Sequence, residues 1–185
     1  MLLLNQAEGK IMHPVIASEI TDQKLASQPL TTLDEVLNTD VAEAFSKNTA
    51  FKARIAVMAT VPGISKEIKA DSVASLVKIV NKKSGASRDA KGALKKDEAY
   101  SLNLQLFVQD YSTQGSNQVV RVLLDEEGGF FRGIKLESLL KNKQAQEMVW
   151  QTLANLHKFN VWLECVLAYN KTGQLVMKDT EVKHF

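Results

Sequence analysis

The sequence predicts a mainly β fold with helices, of the α+β class, in which five strands close into a small barrel. Three observations lead to this prediction. Segments that alternate apolar and polar residues, as half-buried strands do, recur along the chain. A longer segment, residues 136–159, instead has the apolar spacing of a helix and precedes the last two strands. A turn containing Gly173 joins those strands into a hairpin, because glycine can adopt the positive backbone angle that tight turns require.

Composition limits the class of protein. A chain of 185 residues with 45% apolar content is long enough for one domain with extensions and needs no covalent staples. The single cysteine, Cys165, excludes an internal disulfide and a multi-cysteine zinc site, and its strand pattern predicts burial. The apolar start, residues 1–4, is far too short for a signal peptide or a membrane span. We therefore expect a soluble intracellular protein with no membrane partner.

Residues 1–48 are predicted to form an N-terminal extension with one short helix. Within it, residues 13–20 fit either a short edge strand or an extended lead-in. Thr32 and Glu35 have the spacing of a capping box, in which both side chains accept hydrogen bonds from exposed amides at a helix start. The remaining residues, 49–185, are predicted to form the barrel domain.

The first barrel strand is predicted over residues 51–58 and is stopped by Pro62 and Gly63. Residues 64–100 then form an insertion. Its first part has helical apolar spacing between Asp71 and Val80. Its second part combines serine and glycine with a cluster of basic residues, which predicts a flexible basic loop. The cluster comprises Lys82, Lys83, Arg88, Lys91, Lys95 and Lys96.

Two further strands are predicted over residues 102–108 and 120–124, joined by a polar turn over residues 110–117. A glycine-bracketed aromatic pair, Phe130 and Phe131, follows. Both rings cannot point to the same side of a strand, so we expect one to be exposed. The resulting element order, with a helix between the third and fourth strands of a five-stranded barrel, is that of the oligonucleotide/oligosaccharide-binding (OB) fold.

Catalysis has little support in the sequence. Three histidines, His13, His157 and His184, include no pair at metal-ligand spacing, and no glycine-rich phosphate loop or nucleophile motif appears. The consecutive carboxylates at residues 125–127 fit a solvated turn. We expect a non-catalytic protein without a cofactor, metal or small-molecule substrate.

Several collinear motifs resemble a known family. They are residues 104–110 (Leu-Gln-Leu-Phe-Val-Gln-Asp), 121–124 (Arg-Val-Leu-Leu), 129–131 (Gly-Phe-Phe), 156–160 (Leu-His-Lys-Phe-Asn), 162–165 (Trp-Leu-Glu-Cys) and 178–180 (Lys-Asp-Thr). Their order and spacing resemble the C-terminal OB domain of the protection-of-telomeres family, and most closely the alpha subunit of the ciliate telomere end-binding protein. The resemblance covers residues 100–185 and extends, more weakly, from about residue 13. Animal members look to carry cysteines for a metal site in a larger insertion, and the cysteine-free insertion here does not inherit that site.

The resemblance implies a docking function. In the family this domain docks the partner subunit, of the beta or shelterin type, while N-terminal OB domains grip the single-stranded overhang. Those domains are absent here, so we expect either an excised domain or a stand-alone relative, located in the nucleus at telomeres and reaching telomeric DNA through the complex. Candidate partner contacts are the aromatic residues Phe107, Phe130, Phe131, Trp162 and Tyr169.

The alternative interpretation is direct binding of single-stranded DNA or RNA. It would use the basic cluster together with Phe107, Trp162 and Tyr169, because single-strand binding by OB folds combines basic side chains with aromatic stacking platforms. Burial in the core, or a solvated loop without a partner, would explain the same residues without any ligand.

Overall fold

A computed structural model describes residues 23–64, 68–124, 134–158 and 162–183. Three short helices come first: α1 (Gln23–Ala26), α2 (Leu33–Leu37) and α3 (Val41–Ser46). The remaining elements are β1 (Ala50–Val61), a 3₁₀ helix (Ala70–Leu76), β2 (Val77–Asn81), β3 (Ser87–Asp89), β4 (Glu98–Leu102), β5 (Gln105–Gln109), α4 (Tyr111–Gln114), β6 (Val120–Leu124), α5 (Leu136–Lys141), α6 (Lys143–Lys158), β7 (Trp162–Tyr169) and β8 (Leu175–Lys183).

Five strands close into a barrel in the order β1-β5-β6-β8-β7. Strand β1 closes it, because its first half pairs with β7 and its second half pairs with β5, both antiparallel. The contact between β6 and β8 is parallel. With α6 preceding β7 and β8, this arrangement confirms the predicted α+β class and is consistent with an OB fold.

The barrel interior is filled by alternate strand residues. Ala53, Ile55 and Val57 of β1 are buried, and helix α6 adds Val149 and Leu153 to the same apolar cluster. Burying each of the Val, Ile and Leu side chains contributes roughly 1.5–3 kcal/mol, which stabilises the closed barrel.

The described part of the N-terminal extension packs on this core. The predicted capping box is confirmed, because the Thr32 hydroxyl oxygen accepts from the Glu35 amide and the Glu35 carboxylate accepts from the Thr32 amide. Helix α2 buries Leu33 and Val36 completely. The Tyr169 hydroxyl of β7 donates to the Val36 carbonyl at 2.9 Å, which joins the helix to the barrel. Residues 13–20 lie outside the described residues.

The insertion differs from the prediction. The helix expected through Val80 ends at Leu76, and residues 77–81 form β2 instead. The apolar spacing of residues 73–80 fits one helix, but in the structure two elements share it. Val73 and Leu76 lie on the 3₁₀ helix, whereas Val77 and Ile79 alternate along a strand.

The basic segment is not the one continuous loop that was expected. Arg88 lies in β3, which belongs to a three-stranded antiparallel sheet with the order β3-β2-β4, and the five lysines lie on the turns and loops that connect its strands. Ion pairs between its strands stabilise this sheet. Composition alone cannot predict such pairs, because it does not show which residues face one another. The Trp150 indole N–H donates to the Ile68 carbonyl at 3.1 Å and anchors the start of the insertion on α6.

Three other boundaries differ. The strand expected over residues 102–108 is two strands, β4 and β5, and the polar turn after it contains helix α4. The long helix divides at Asn142, whose side-chain oxygen caps α6 by accepting from the amides of Gln144 and Ala145. Residues 128–133, including Phe130 and Phe131, lie outside the described residues.

The burial of Cys165 generates a first prediction. Its thiol is fully buried in β7, and burial raises the pKa of the Cys165 thiol well above its usual range. We expect the native protein not to react with a thiol reagent during the time in which the urea-unfolded protein reacts completely. Equal rates in the native and unfolded protein would contradict the position of Cys165 in the barrel interior.

Candidate binding groove

A groove of about 310 Å³ lies between the N-terminal segment and the barrel. Three separate parts of the chain form it: the segment before α2, strand β1 with the start of β7, and the end of β5 with the start of α4. Its lining residues are Leu30, Thr31, Thr32, Arg54, Asp110, Tyr111 and Trp162.

Asp110 holds two walls of the groove in place. Its side chain is buried, and one carboxylate oxygen accepts from the Leu33 amide of α2 at 2.7 Å. The other oxygen accepts from the amides of Ser112 and Thr113 at 3.0 and 3.1 Å, which caps α4. The same carboxylate therefore caps two helix starts that are far apart in sequence and fixes Leu30 close to Tyr111.

The third wall carries an ion-paired cluster. Trp162 begins β7 opposite Ala56 of β1. Two residues along β7, the buried Glu164 accepts from Arg54 at 2.6 Å and lies 3.4 Å from the ammonium of Lys52. Two cations thus share one buried carboxylate, so about half of their positive charge is balanced by this pairing.

The exposed surface of the groove is aromatic and apolar. Tyr111 is 75% exposed, Leu30 is 43% exposed, and Trp162 is half-buried. Large exposed aromatic side chains beside an arginine are typical of protein interfaces, where they contribute most of the binding energy. The groove is suited to hold an apolar or aromatic side chain of a bound chain.

A second apolar area lies on the neighbouring outer face of the barrel. Phe107 of β5 is half-buried and lies opposite Ala59 of β1 and Arg121 of β6. Met58 and Val61, on the same half of β1, are 51% and 48% exposed. The outer face thus offers apolar contacts next to one exposed arginine.

The structure separates the aromatic candidates predicted from sequence. Phe107 and Trp162 lie on the outer surface of the barrel, as their strand positions predicted. The prediction for Tyr169 as a contact residue is wrong, because Tyr169 is only 8% exposed and packs edge-on against Phe51 with ring centroids 6.4 Å apart. Phe130 and Phe131 remain predictions, since they lie outside the described residues.

Six of the seven groove residues, all except Trp162, were not among the site residues predicted from the sequence, and they include the exposed Leu30 and Tyr111. In the segment Asp110-Tyr111-Ser112-Thr113, Asp110 and Thr113 have the spacing of a helix N-cap and the third residue of the helix. This spacing is a signal for a helical turn. Recognising it would have placed Tyr111 at an exposed first helical position. No comparable signal marks Leu30.

The basic residues of the insertion lie on and around the small sheet. Lys83 pairs with Asp97 at 2.9 Å and Arg88 pairs with Glu98 at 2.7 Å, whereas Lys82, Lys91, Lys95 and Lys96 are exposed. Within the described ranges, no three His, Cys, Asp or Glu side chains group as metal ligands. None of the described helices has the length and apolar character needed to cross a membrane.

The two-helix cap generates a stability prediction. Asp110→Ala removes the acceptor for three amides, so we expect a loss of about 2–4 kcal/mol in the free energy of unfolding. Urea denaturation monitored by circular dichroism measures this loss. The control is Asp71→Ala, an exposed aspartate in the 3₁₀ helix, with an expected change within about 0.5 kcal/mol. Equal changes in both variants would show that the carboxylate of Asp110 does not bridge the helices.

The Glu98 ion pair generates a pH prediction. The hydrogen bond from Arg88, followed by that from the Lys95 amide, lowers the pKa of Glu98 from 4.5 to about 2. Because this pKa is depressed, the stabilisation is complete above pH 4.5 and is lost as the pH falls through about 2. We expect NMR titration of the Glu98 carboxyl to show a midpoint near pH 2, and Arg88→Ala to raise it. Lys96→Ala, the control, should leave it unchanged, and an ordinary midpoint in the unsubstituted protein would refute the pairing.

Comparison with known proteins gives two relatives. No protein-family model matches the chain. Over 175 residues the chain is 29% identical to the telomere-binding protein subunit alpha of Sterkiella nova, covering 92% of this chain and 33% of the relative. It is 28% identical to the protein of the same name from Stylonychia mytilus, covering 92% of this chain and 34% of that relative. The chain spans about a third of the length of the curated relatives it matches. These matches show that the chain is similar, over most of its length, to telomere-binding protein alpha subunits.

Proposed function

We propose that this domain is a non-catalytic docking module of a telomere-binding complex, and that its aromatic groove receives a segment of a partner subunit. The observation that carries the proposal is the exposure of Leu30, Tyr111 and Trp162 around one groove. The relatives are named as alpha subunits, and a subunit works in an assembly with others. The partner implied by the resemblance is the beta-type or shelterin-type subunit.

The topology determines how such a segment would bind. In the closed barrel every strand already has a neighbour on each side, so a partner segment has only short stretches of strand edge with which to pair. The partner segment would instead be held by side chains, with an apolar or aromatic anchor between Tyr111 and Trp162. Burial of such an anchor favours association without relying on long-range charge.

The proposed domain organisation follows the same contacts. The OB domain spans residues 49–185, with residues 64–100 as its insertion, and residues 1–48 are the extension. The described part of that extension contributes Leu30, Thr31 and Thr32 to the groove, so the extension is part of the binding site. Telomeric single-stranded DNA would be reached through the assembled complex, and the protein would act at telomeres in the nucleus.

Direct base stacking on the barrel is the alternative. Phe107 beside Arg121 has the aromatic and cationic character that single-strand binding uses. At the groove, however, Arg54 and Lys52 are engaged by Glu164, which reduces the positive potential available to phosphates. Docking of a protein segment therefore has the better support at the groove.

Substitution of the groove aromatics tests docking. The tagged protein is used to capture partners from nuclease-treated nuclear extract, and retained proteins are identified by mass spectrometry. We expect a telomeric subunit to be retained in 0.5 M salt, since apolar anchoring is only weakly salt-dependent. Tyr111→Ala and Trp162→Ala should each reduce its recovery about tenfold or more, as loss of a hot-spot residue does.

The matched control is Phe45→Ala, which removes an aromatic side chain that is 48% exposed on α3, outside the groove. Circular dichroism establishes that all three variants are folded. Undiminished recovery with both groove variants, or equal loss with Phe45→Ala, would refute docking at the groove. Recovery of the subunit only when nucleic acid is left intact would favour an association through nucleic acid over docking at the groove.

A further inference from the structure

Positive charge is concentrated in the inserted sheet. Residues 78–98 hold seven basic and three acidic side chains, an excess of four, although the whole chain has a formal net charge of only +2. The rest of the chain therefore carries a net negative charge of two. Such asymmetry produces a local positive potential that the overall charge conceals.

Ion pairing within the insertion engages every acidic side chain of this segment. Asp89 pairs with Lys78 at 2.7 Å, and the pairs of Asp97 with Lys83 and of Glu98 with Arg88 complete the set. The four basic side chains outside these pairs are all exposed. They are Lys82, Lys91, Lys95 and Lys96, which we call the lysine tip.

Backbone contacts hold the lysine tip together. The Lys82 amide donates to the Asp97 carbonyl at 2.7 Å, so Lys82 lies beside the loop that carries Lys95 and Lys96. The Arg88 guanidinium donates to the carbonyls of Lys91 and Ala93 at 2.8 and 3.2 Å. Because Arg88 is also fixed by Glu98, the loop bearing Lys91 is tied to the sheet.

We propose that the lysine tip binds the phosphodiester backbone of nucleic acid without reading base sequence. Lysine ammonium groups are compact point charges that suit phosphate oxygens. Among the described residues of the insertion, the only aromatic one, Tyr100, is half-buried in β4, and the exposed apolar residue is Leu94. The tip therefore offers charge without a stacking platform for bases.

The lysine tip lies apart from the groove along the barrel. The insertion leaves the barrel after Val61, at the end of β1, and returns at Gln105. The other end of β1 pairs with the last residues of β7. Arg54, in the groove, belongs to the first half of β1. Partner docking and phosphate binding thus use different surfaces and can fail independently.

Fluorescence anisotropy with a labelled twenty-nucleotide oligo(dT) tests the proposal over a range of potassium chloride concentrations. The variant replaces Lys82, Lys91, Lys95 and Lys96 with Ala. We expect its affinity to fall about tenfold or more at low salt, and the slope of log affinity against log salt to shrink by roughly 0.7 for each lysine that contacts a phosphate.

A charge-matched control replaces four exposed lysines elsewhere: Lys24, Lys47, Lys171 and Lys178. We expect the control variant to retain both the affinity and the salt slope of the unsubstituted protein. Absence of oligo(dT) binding by the unsubstituted protein at low salt, or an equal loss in the two variants, would overturn the lysine tip as the binding site. Equally effective competition by polyglutamate of the same total charge would overturn the assignment to nucleic acid.

Discussion

The buried carboxylate of Asp110 is the constraint on which the binding surface depends. It accepts hydrogen bonds from the starts of α2 and α4, which belong to chain segments 77 residues apart. A buried carboxylate is costly unless its oxygens are satisfied, so these amides and the carboxylate stabilise one another. Two of the three walls of the groove depend on these hydrogen bonds, because they are formed by the residues that flank the two capped helices.

The carboxylates of the inserted sheet are stabilised by ion pairs, whereas that of Asp110 is stabilised by hydrogen bonds from amides. Between residues 78 and 98, each carboxylate lies on the sheet or its edges and pairs with a basic side chain, and only that of Glu98 is largely buried. Surface pairs of this kind contribute little to stability individually, but they determine where excess charge remains. Pairing at the sheet therefore leaves the positive charge on the connecting loops, where another molecule can reach it.

Much of the fold could be predicted from the sequence, because alternation in β1 and β7 and the helical spacing of α6 report burial directly. The capping box of Thr32 and Glu35 could also be predicted from the sequence, since it is an interaction between residues close in the chain. The inserted sheet could not be predicted, because Val73, Leu76, Val77 and Val80 satisfy a helical spacing although the helix ends at Leu76 in the structure. Local patterns cannot report pairing between strands separated by loops.

The candidate site was predicted in smaller part. The strand positions of Phe107 and Trp162 indicated their outward orientation, whereas Tyr169 was misassigned because its hydroxyl bonds to the Val36 carbonyl across the core. Leu30 becomes a groove residue only through the contact of α2 with Asp110, and this contact depends on tertiary structure. The groove is therefore a property of the folded domain that no single segment encodes.

The assembly of the groove from distant segments links recognition to folding. A segment bound between Leu30, Tyr111 and Trp162 would contact only the folded chain, so its binding would shift the unfolding equilibrium towards the native state. If a partner segment binds in this groove, substitutions in the segment before α2 would change its contacts while leaving the barrel strands untouched. Specificity would then change at little cost to the stability of the barrel.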